Sequence, residues 1–196
     1  MQVIDGGIVP TNAINFVKSS EDLMNKKVTY ANFIFNYWPF KSQPYRVRLT
    51  VGGNQLDCEF NTGYPDSPLL ETKITINGTI SDVHEVARFV GVNLKEYFSD
   101  SPINSPEFMY IRRKCFPGDI SKQYNIDAIS DADGYLYIRI KKSMYGLKQS
   151  AVIAYNNLVQ QLSPHGYHPS PHTTVIWKHQ TKRTKLCLCF DDLGIK

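Results

Sequence analysis

The 196-residue sequence predicts an α+β fold. Three observations carry that expectation. Short segments rich in β-branched and aromatic residues alternate between two faces. One longer segment repeats its apolar residues at helical spacing. The strands come in hairpin-like groups with helices set among them, unlike the regular alternation of a doubly wound sheet. With 42% hydrophobic and 20% charged residues, the composition is that of a chain that buries a core.

The elements follow in order. "KVTYANFIFNYW" (Lys27 to Trp38) reads as a strand stopped by Pro39. "YRVRLTVGG" (Tyr45 to Gly53) alternates, with Val47, Leu49 and Val51 on one side and Arg46, Arg48 and Thr50 on the other. "PFKSQP" joins the two into a hairpin whose polar face carries both arginines. Asp66 to Ser81 is a predicted helix, with Ser67 as N-cap and Pro68 as first helical residue. Ile74, Thr75, Ile76 and Gly78 are weak helix formers within it. Glu85 to Leu94 is a predicted strand containing Gly91, and "EFMYIRR" is another, after the turn "SPINSP". In "GYLYIRIKK" (Gly134 to Lys142), Leu136, Ile138 and Ile140 alternate with Tyr135, Tyr137 and Arg139. Gln149 to Leu162 is the clear helix, with Val152, Tyr155, Val159 and Leu162 on one face and Pro164 and Gly166 ending it. "TTVIWKH" and "TKLCLCF" are two strands around the polar turn "QTKR".

A net charge of +4 permits a nucleic-acid partner without requiring one. No run approaches the roughly 20 apolar residues of a membrane span, so no membrane partner is expected. The N-terminus lacks the pattern of a signal peptide, which predicts an intracellular protein, cytoplasmic or nuclear. Cys58, Cys115, Cys187 and Cys189 form no C-x2-C pair, so they are expected as free thiols, with Cys187 and Cys189 sharing one strand face. His165, His168 and His172 fall in the Pro- and Gly-rich "HGYHPSPH" and are expected to be solvated. Asn77-Gly78-Thr79 matches a glycosylation triplet, here read as incidental. Asp191 and Asp192 directly follow the apolar run Leu186 to Phe190. Such a pair is either a solvated turn or part of a metal site.

"KKSMYGLKQS" (Lys141 to Ser150), followed at a distance by "CFDD", resembles the reverse transcriptase segment of copia-type long-terminal-repeat retrotransposons. The other parts fall in order: "RVRL" resembles a basic fingers strand, "GVNLKEYF" a strand that ends in a catalytic aspartate, and "EFMYIRR" the strand after it. The resemblance runs from about Lys27 to the last residue, leaving residues 1–26 as an N-terminal segment. It implies fingers and palm, with an antiparallel hairpin carrying Asp191 and Asp192 and one short strand after them.

The implied activity is RNA-directed DNA polymerisation. Two divalent ions, magnesium or manganese, would clamp the attacking and leaving oxygens of a nucleotidyl transfer, roughly 4 Å apart. The implied partners are an RNA template, a DNA primer and a deoxynucleoside triphosphate. Asp191 and a strand aspartate would bridge both ions, Asp192 would play a lesser part, and Leu94 would offer its backbone carbonyl. Arg48 and Arg46 would meet the nucleotide's phosphates. Phe98 would pack under the sugar as a steric gate, Gln149 would line the nucleotide pocket, and Lys148 would meet template or phosphate. Phe98 also reads as an ordinary core aromatic, and the arginines as a solvated strand face.

Two departures weigh against catalysis. The strand position that the family fills with aspartate is Asn93, an amide that brings no charge; Glu96 and Asp100 follow the strand and offer no strong substitute. The family's primer-holding hairpin and thumb come after the Asp pair, so the expectation is a partial domain lacking those regions of the parent polyprotein. Residues Gly53 to Ser81 also depart from the family's pattern. Three readings stay open: an enzyme fragment (RNA-directed DNA polymerase, fingers and palm only), a non-catalytic remnant that binds nucleic acid through Arg46, Arg48, Lys141, Lys142 and Lys148, and an unrelated α+β domain; Asn93 and the missing regions favour the second over the first as biochemistry.

Overall fold

A computed structural model describes residues 12–18, 23, 25–57, 69–82, 84 and 86–196. Strands and helices are mixed along the chain, as expected of an α+β protein. The chain divides into two compact units, Met1–Phe60 with Phe98–Ser150, and Asn61–Tyr97 with Ala151–Lys196. Among the described residues, no helix is long and apolar enough to cross a membrane.

The first unit holds β1 (Ile14–Val17), β2 (Val28–Tyr37), β3 (Tyr45–Val51), β5 (Pro102–Arg112) and β6 (Tyr135–Lys142), with the short helices α2 (Gly118–Gln123) and α3 (Ile126–Ile129). Its sheet runs β1-β6-β5-β2-β3. β2 and β5 are parallel, and the other neighbours are antiparallel. The alternation of β6 sets the core: Leu136, Ile138 and Ile140 are buried, while Tyr135, Tyr137 and Arg139 stay half-exposed. Met109 and Ile111 of β5 and Ile120 and Ile126 of the short helices close over them.

Several expectations need adjustment here. Ile14–Val17, within the segment set apart as residues 1–26, pairs with β6 and completes the sheet. β5 starts earlier than expected and carries an irregularity between Pro102 and Glu107. The sequence reading missed α2 and α3. With six and four residues they are too short for an apolar period to show.

The β2–β3 hairpin pairs from Ala31↔Val51 to Tyr37↔Tyr45, as the sequence predicts. Its base meets the "YGLKQ" turn at a glycine crossing. Gly146 has φ +99°, and a Cβ there would lie 2.0 Å from the Val51 carbonyl oxygen. A Cβ on Gly53 would lie 1.9 Å from the Gly146 carbonyl oxygen. Only bare backbone fits at both places. The Val51 N–H donates to the Tyr145 carbonyl at 2.9 Å and fixes the crossing. Ser150 closes the turn: its hydroxyl donates to the Met144 carbonyl at 2.7 Å and accepts from the Met144 N–H at 3.0 Å.

The second unit holds α1 (Leu69–Ser81), β4 (Val90–Asn93), α4 (Ser150–Leu162, whose first residue lies in the first unit), β7 (Tyr167–Ser170), β8 (Thr173–His179), β9 (Lys185–Cys189) and β10 (Asp192–Ile195). Its antiparallel sheet runs β4-β10-β9-β8-β7. Leu158 of α4 packs with Trp177, Leu186, Leu188 and Leu193. Tyr155, Val159 and Leu162 border that core, as their helical spacing predicts. β7 runs through "HGYHPSPH", read beforehand as loop; His168 sits on it and its Nε2 lies 2.8 Å from the Gln180 side-chain nitrogen. β4 is shorter than the predicted Glu85 to Leu94. The proposed cap Ser67 and Pro68 lies outside the described residues, as does Cys58. Cys115, Cys187 and Cys189 are free thiols. Thr79 of the glycosylation triplet is buried in α1, its hydroxyl on the Thr75 carbonyl at 2.9 Å.

The glycine crossing yields a sharp expectation. Gly146→Ala should destabilise the protein by about 3 kcal/mol or more, since the new methyl meets backbone and not a movable side chain. Gly118→Ala, where a Cβ meets nothing within 4 Å, should change stability by no more than about 0.5 kcal/mol. Urea unfolding of the two variants checks the contrast.

Candidate functional site

The aspartate pair sits where β9 turns into β10. Cys189 pairs with Asp192, so the loop is the dipeptide Phe190–Asp191. Two-residue hairpin loops favour positive φ, which glycine or asparagine normally supplies. Here Phe190 supplies it, at φ 56°, a strained conformation for a bulky residue. β10 then pairs with β4, and Asp192 stands directly opposite Asn93.

Residues 98 and 99 positions apart thereby meet. The Asn93 Nδ2 donates to Asp192 Oδ1 at 2.9 Å and lies 3.4 Å from the Asp191 main-chain carbonyl oxygen. The Leu94 N–H donates to that same carbonyl at 2.6 Å. Asn93 and Asp192 line an open groove of about 370 Å³ with Phe89, Cys187, Cys189 and Gly194. A Cβ on Gly194 would fall 2.6 Å from the tip of the Phe89 ring, which would have to shift to admit it. Burial first, then the neighbouring Cys187, Asp192 and Asp191, push the Cys189 thiol above its ordinary pKa. Cys189 therefore stays protonated at neutral pH and is a poor nucleophile.

This donor set does not fit a centre for two divalent ions. It offers two carboxylates, and one of them already accepts a hydrogen bond from the Asn93 amide. Among the described residues, no group of three or more His, Cys, Asp or Glu side chains is arranged to hold a metal. Leu94 enters the cluster through its N–H, whereas the resemblance implied its carbonyl.

The residues tied to the nucleotide by resemblance lie in the first unit, and two of them, Arg48 and Phe98, share a neighbour. The Arg48 guanidinium lies 5.3 Å from the centre of the Tyr145 ring. Phe98 meets the same ring edge-on at 4.7 Å. Tyr145 thus joins Arg48 to Phe98, and its place in "YGLKQ" was the signal that could have singled it out. The Arg48 Nε is enclosed and has no hydrogen-bond partner. Arg46 is exposed and leans over Trp38 at 5.9 Å. The Lys148 ammonium donates to the Leu56 carbonyl at 3.1 Å. Gln149 is buried, and its Nε2 donates to Glu107 at 3.2 Å. Lys141, counted among the basic residues, donates to the Asn12 side chain.

Glu107 was not foreseen: its only sequence signal is a lone carboxylate at the start of "EFMYIRR". Burial raises its pKa above the ordinary carboxyl value, the Gln149 hydrogen bond opposes the rise, and Asp57 adds to it. No protein-family model matches the chain, and no curated protein is similar enough to count as a relative.

Two expectations follow. A carboxyl whose folded pKa lies above its unfolded value costs stability as pH rises through that interval. Glu107→Gln should therefore raise the urea midpoint at neutral pH, flatten its pH dependence above about pH 4.5, and change little near pH 3. Asn93→Asp should cost about 1–2 kcal/mol at neutral pH, since it exchanges a charge-assisted hydrogen bond for two facing carboxylates. Asn93→Ala should cost less, because it adds no repulsion. The gap between the two variants should vanish in acid, where the carboxylates are neutral.

Proposed function

We propose that the chain is a fingers-and-palm portion of a copia-type retrotransposon reverse transcriptase by descent, one that keeps a capacity to bind nucleic acid and has lost nucleotidyl transfer. One observation carries the reading. The two segments that the resemblance pairs, "GVN" and "FDD", are cross-strand neighbours despite their separation in sequence, and the position matched to a catalytic aspartate holds an amide. The Tyr145 cluster adds support. Arg48 and Phe98, matched to phosphate and sugar contacts, share one ring in the motif that carries the resemblance. An RNA template, a DNA primer and a deoxynucleoside triphosphate are the ancestral partners. Arg46 and Arg48 remain available to phosphates as fixed positive charges. Magnesium binds weakly at Asp191 and Asp192 and manganese somewhat better, since a site with two carboxylates returns little for the water that magnesium must give up.

The test is primer extension on a primed RNA template with magnesium or manganese. Loss of a bridging carboxylate costs several kcal/mol of transition-state stabilisation, on the order of a thousandfold in rate, so no extension is expected. Template-dependent extension that disappears in Asp191→Asn would refute the loss of catalysis. Thermal unfolding gives an independent readout. Manganese should shift the melting temperature of Asn93→Asp upward far more than that of the wild type, because an ion that binds only the folded state stabilises it by mass action. Equal shifts would remove residue 93 from any ancestral metal site.

A further inference from the structure

The groove beside Asn93 and Asp192 holds two thiols that the palm reading does not use. Strand alternation puts Cys187 and Cys189 on one face of β9, and both line that groove. The alternate residues, Leu186 and Leu188, join the core on the other side of the sheet. The neighbouring strands leave space in front of the thiols. Gly194 of β10 stands opposite Cys187, and Gly91 of β4 stands opposite Gly194. Both positions lack a side chain that would cover the sheet, and a Cβ on Gly91 would meet nothing within 4 Å. Phe89 forms an apolar wall, and Asp192, opposite Cys189, brings a carboxylate.

The number and softness of the ligands indicate what binds. Thiolates select soft ions over magnesium or calcium. A closed zinc site takes four ligands, and an iron–sulfur cluster also takes four. Among the described residues, no group of three or more His, Cys, Asp or Glu side chains could hold a metal, so both have too few ligands here. Copper(I) is soft, and two sulfurs in a line satisfy it. The spacing agrees. Residues two apart on a strand lie about 6.6 Å apart at Cα, near the upper limit of an unstrained disulfide and wide enough to seat an ion between two sulfurs. Protonated thiols are no bar, because the ion replaces both thiol protons, which leave to water.

We propose that Cys187 and Cys189 bind one copper(I) ion between their sulfurs, with the Asp192 carboxylate drawing the cation into the groove. The site requires neither catalysis nor nucleic acid, so it stands or falls independently of the ancestry proposed above.

The experiment titrates the reduced protein with copper(I) under argon, in competition with a chromophoric copper(I) chelator. The wild type should take up one equivalent. Cys187→Ala and Cys189→Ser should each weaken binding on the order of a hundredfold or more, since each removes one arm of a two-point grip. Cys115→Ser, in the first unit, should leave the affinity unchanged. An excess of manganese, which prefers oxygen ligands, should not displace the ion. Absorption at the copper edge should show two sulfur neighbours. Circular dichroism checks the fold of each variant. Cys187 is buried and Cys189 half-buried, so Cys189→Ser and the copper-edge spectrum decide the matter if Cys187→Ala does not fold. Binding that Cys189→Ser leaves unchanged, or that Cys115→Ser abolishes, would overturn the proposal. So would a spectrum with one sulfur neighbour, or no uptake of copper(I) at all.

Discussion

The close approach of Gly146 to Val51 and Gly53 is the constraint on which the first unit depends. Two chain segments touch there through backbone alone, with no side chain to cushion the contact. The contact holds "YGLKQ" against the hairpin base. From that position Tyr145 reaches both Arg48 and Phe98, Lys148 reaches Leu56, and Gln149 reaches Glu107. The glycine in this motif is thus a steric requirement with a chemical result. It places one residue's ring and the next residues' polar ends, none of which would keep their positions if the turn stood further off.

In the second unit an amide does work usually left to a cation. Carboxylates that crowd at a strand end repel unless something positive or hydrogen-donating lies between them. Asn93 donates to the Asp192 carboxylate, and its amide also lies near the Asp191 carbonyl. That hydrogen bond spans the edge pairing of β4 with β10. The residue that donates to the Asp192 carboxylate also joins β4 to the hairpin that carries the aspartates.

Much of this was legible in the sequence, for physical reasons that differ by element. β6 could be read because its alternation is strict and each apolar residue is buried. α4 could be read because its apolar face repeats over thirteen residues. β10 could not be read from pattern: its turn has Phe190 where glycine or asparagine would announce a hairpin, and only the resemblance pointed to a strand there. α1 was foreseen despite weak helix formers, yet its faces are reversed: Thr75 and Thr79 are buried while Leu70, Ile74 and Ile80 face outward. Polarity alone would have placed them the other way. Of the site, Asn93 and the aspartates could be paired from the resemblance. Tyr145 could have been singled out by its place in "YGLKQ", whereas Glu107 could not, because its partner Gln149 is distant in sequence.

The hydrogen bond from Leu94 to the Asp191 carbonyl has a consequence for the chemical ageing of the protein. Asparagine turns into aspartate without any mutation when the next residue's backbone nitrogen attacks its side-chain carbonyl and ammonia leaves. For Asn93 that nitrogen belongs to Leu94, and its N–H is held by Asp191 at 2.6 Å within a paired strand end. The pairing engages the nitrogen on which the spontaneous conversion of Asn93 to aspartate depends, and so slows that reaction.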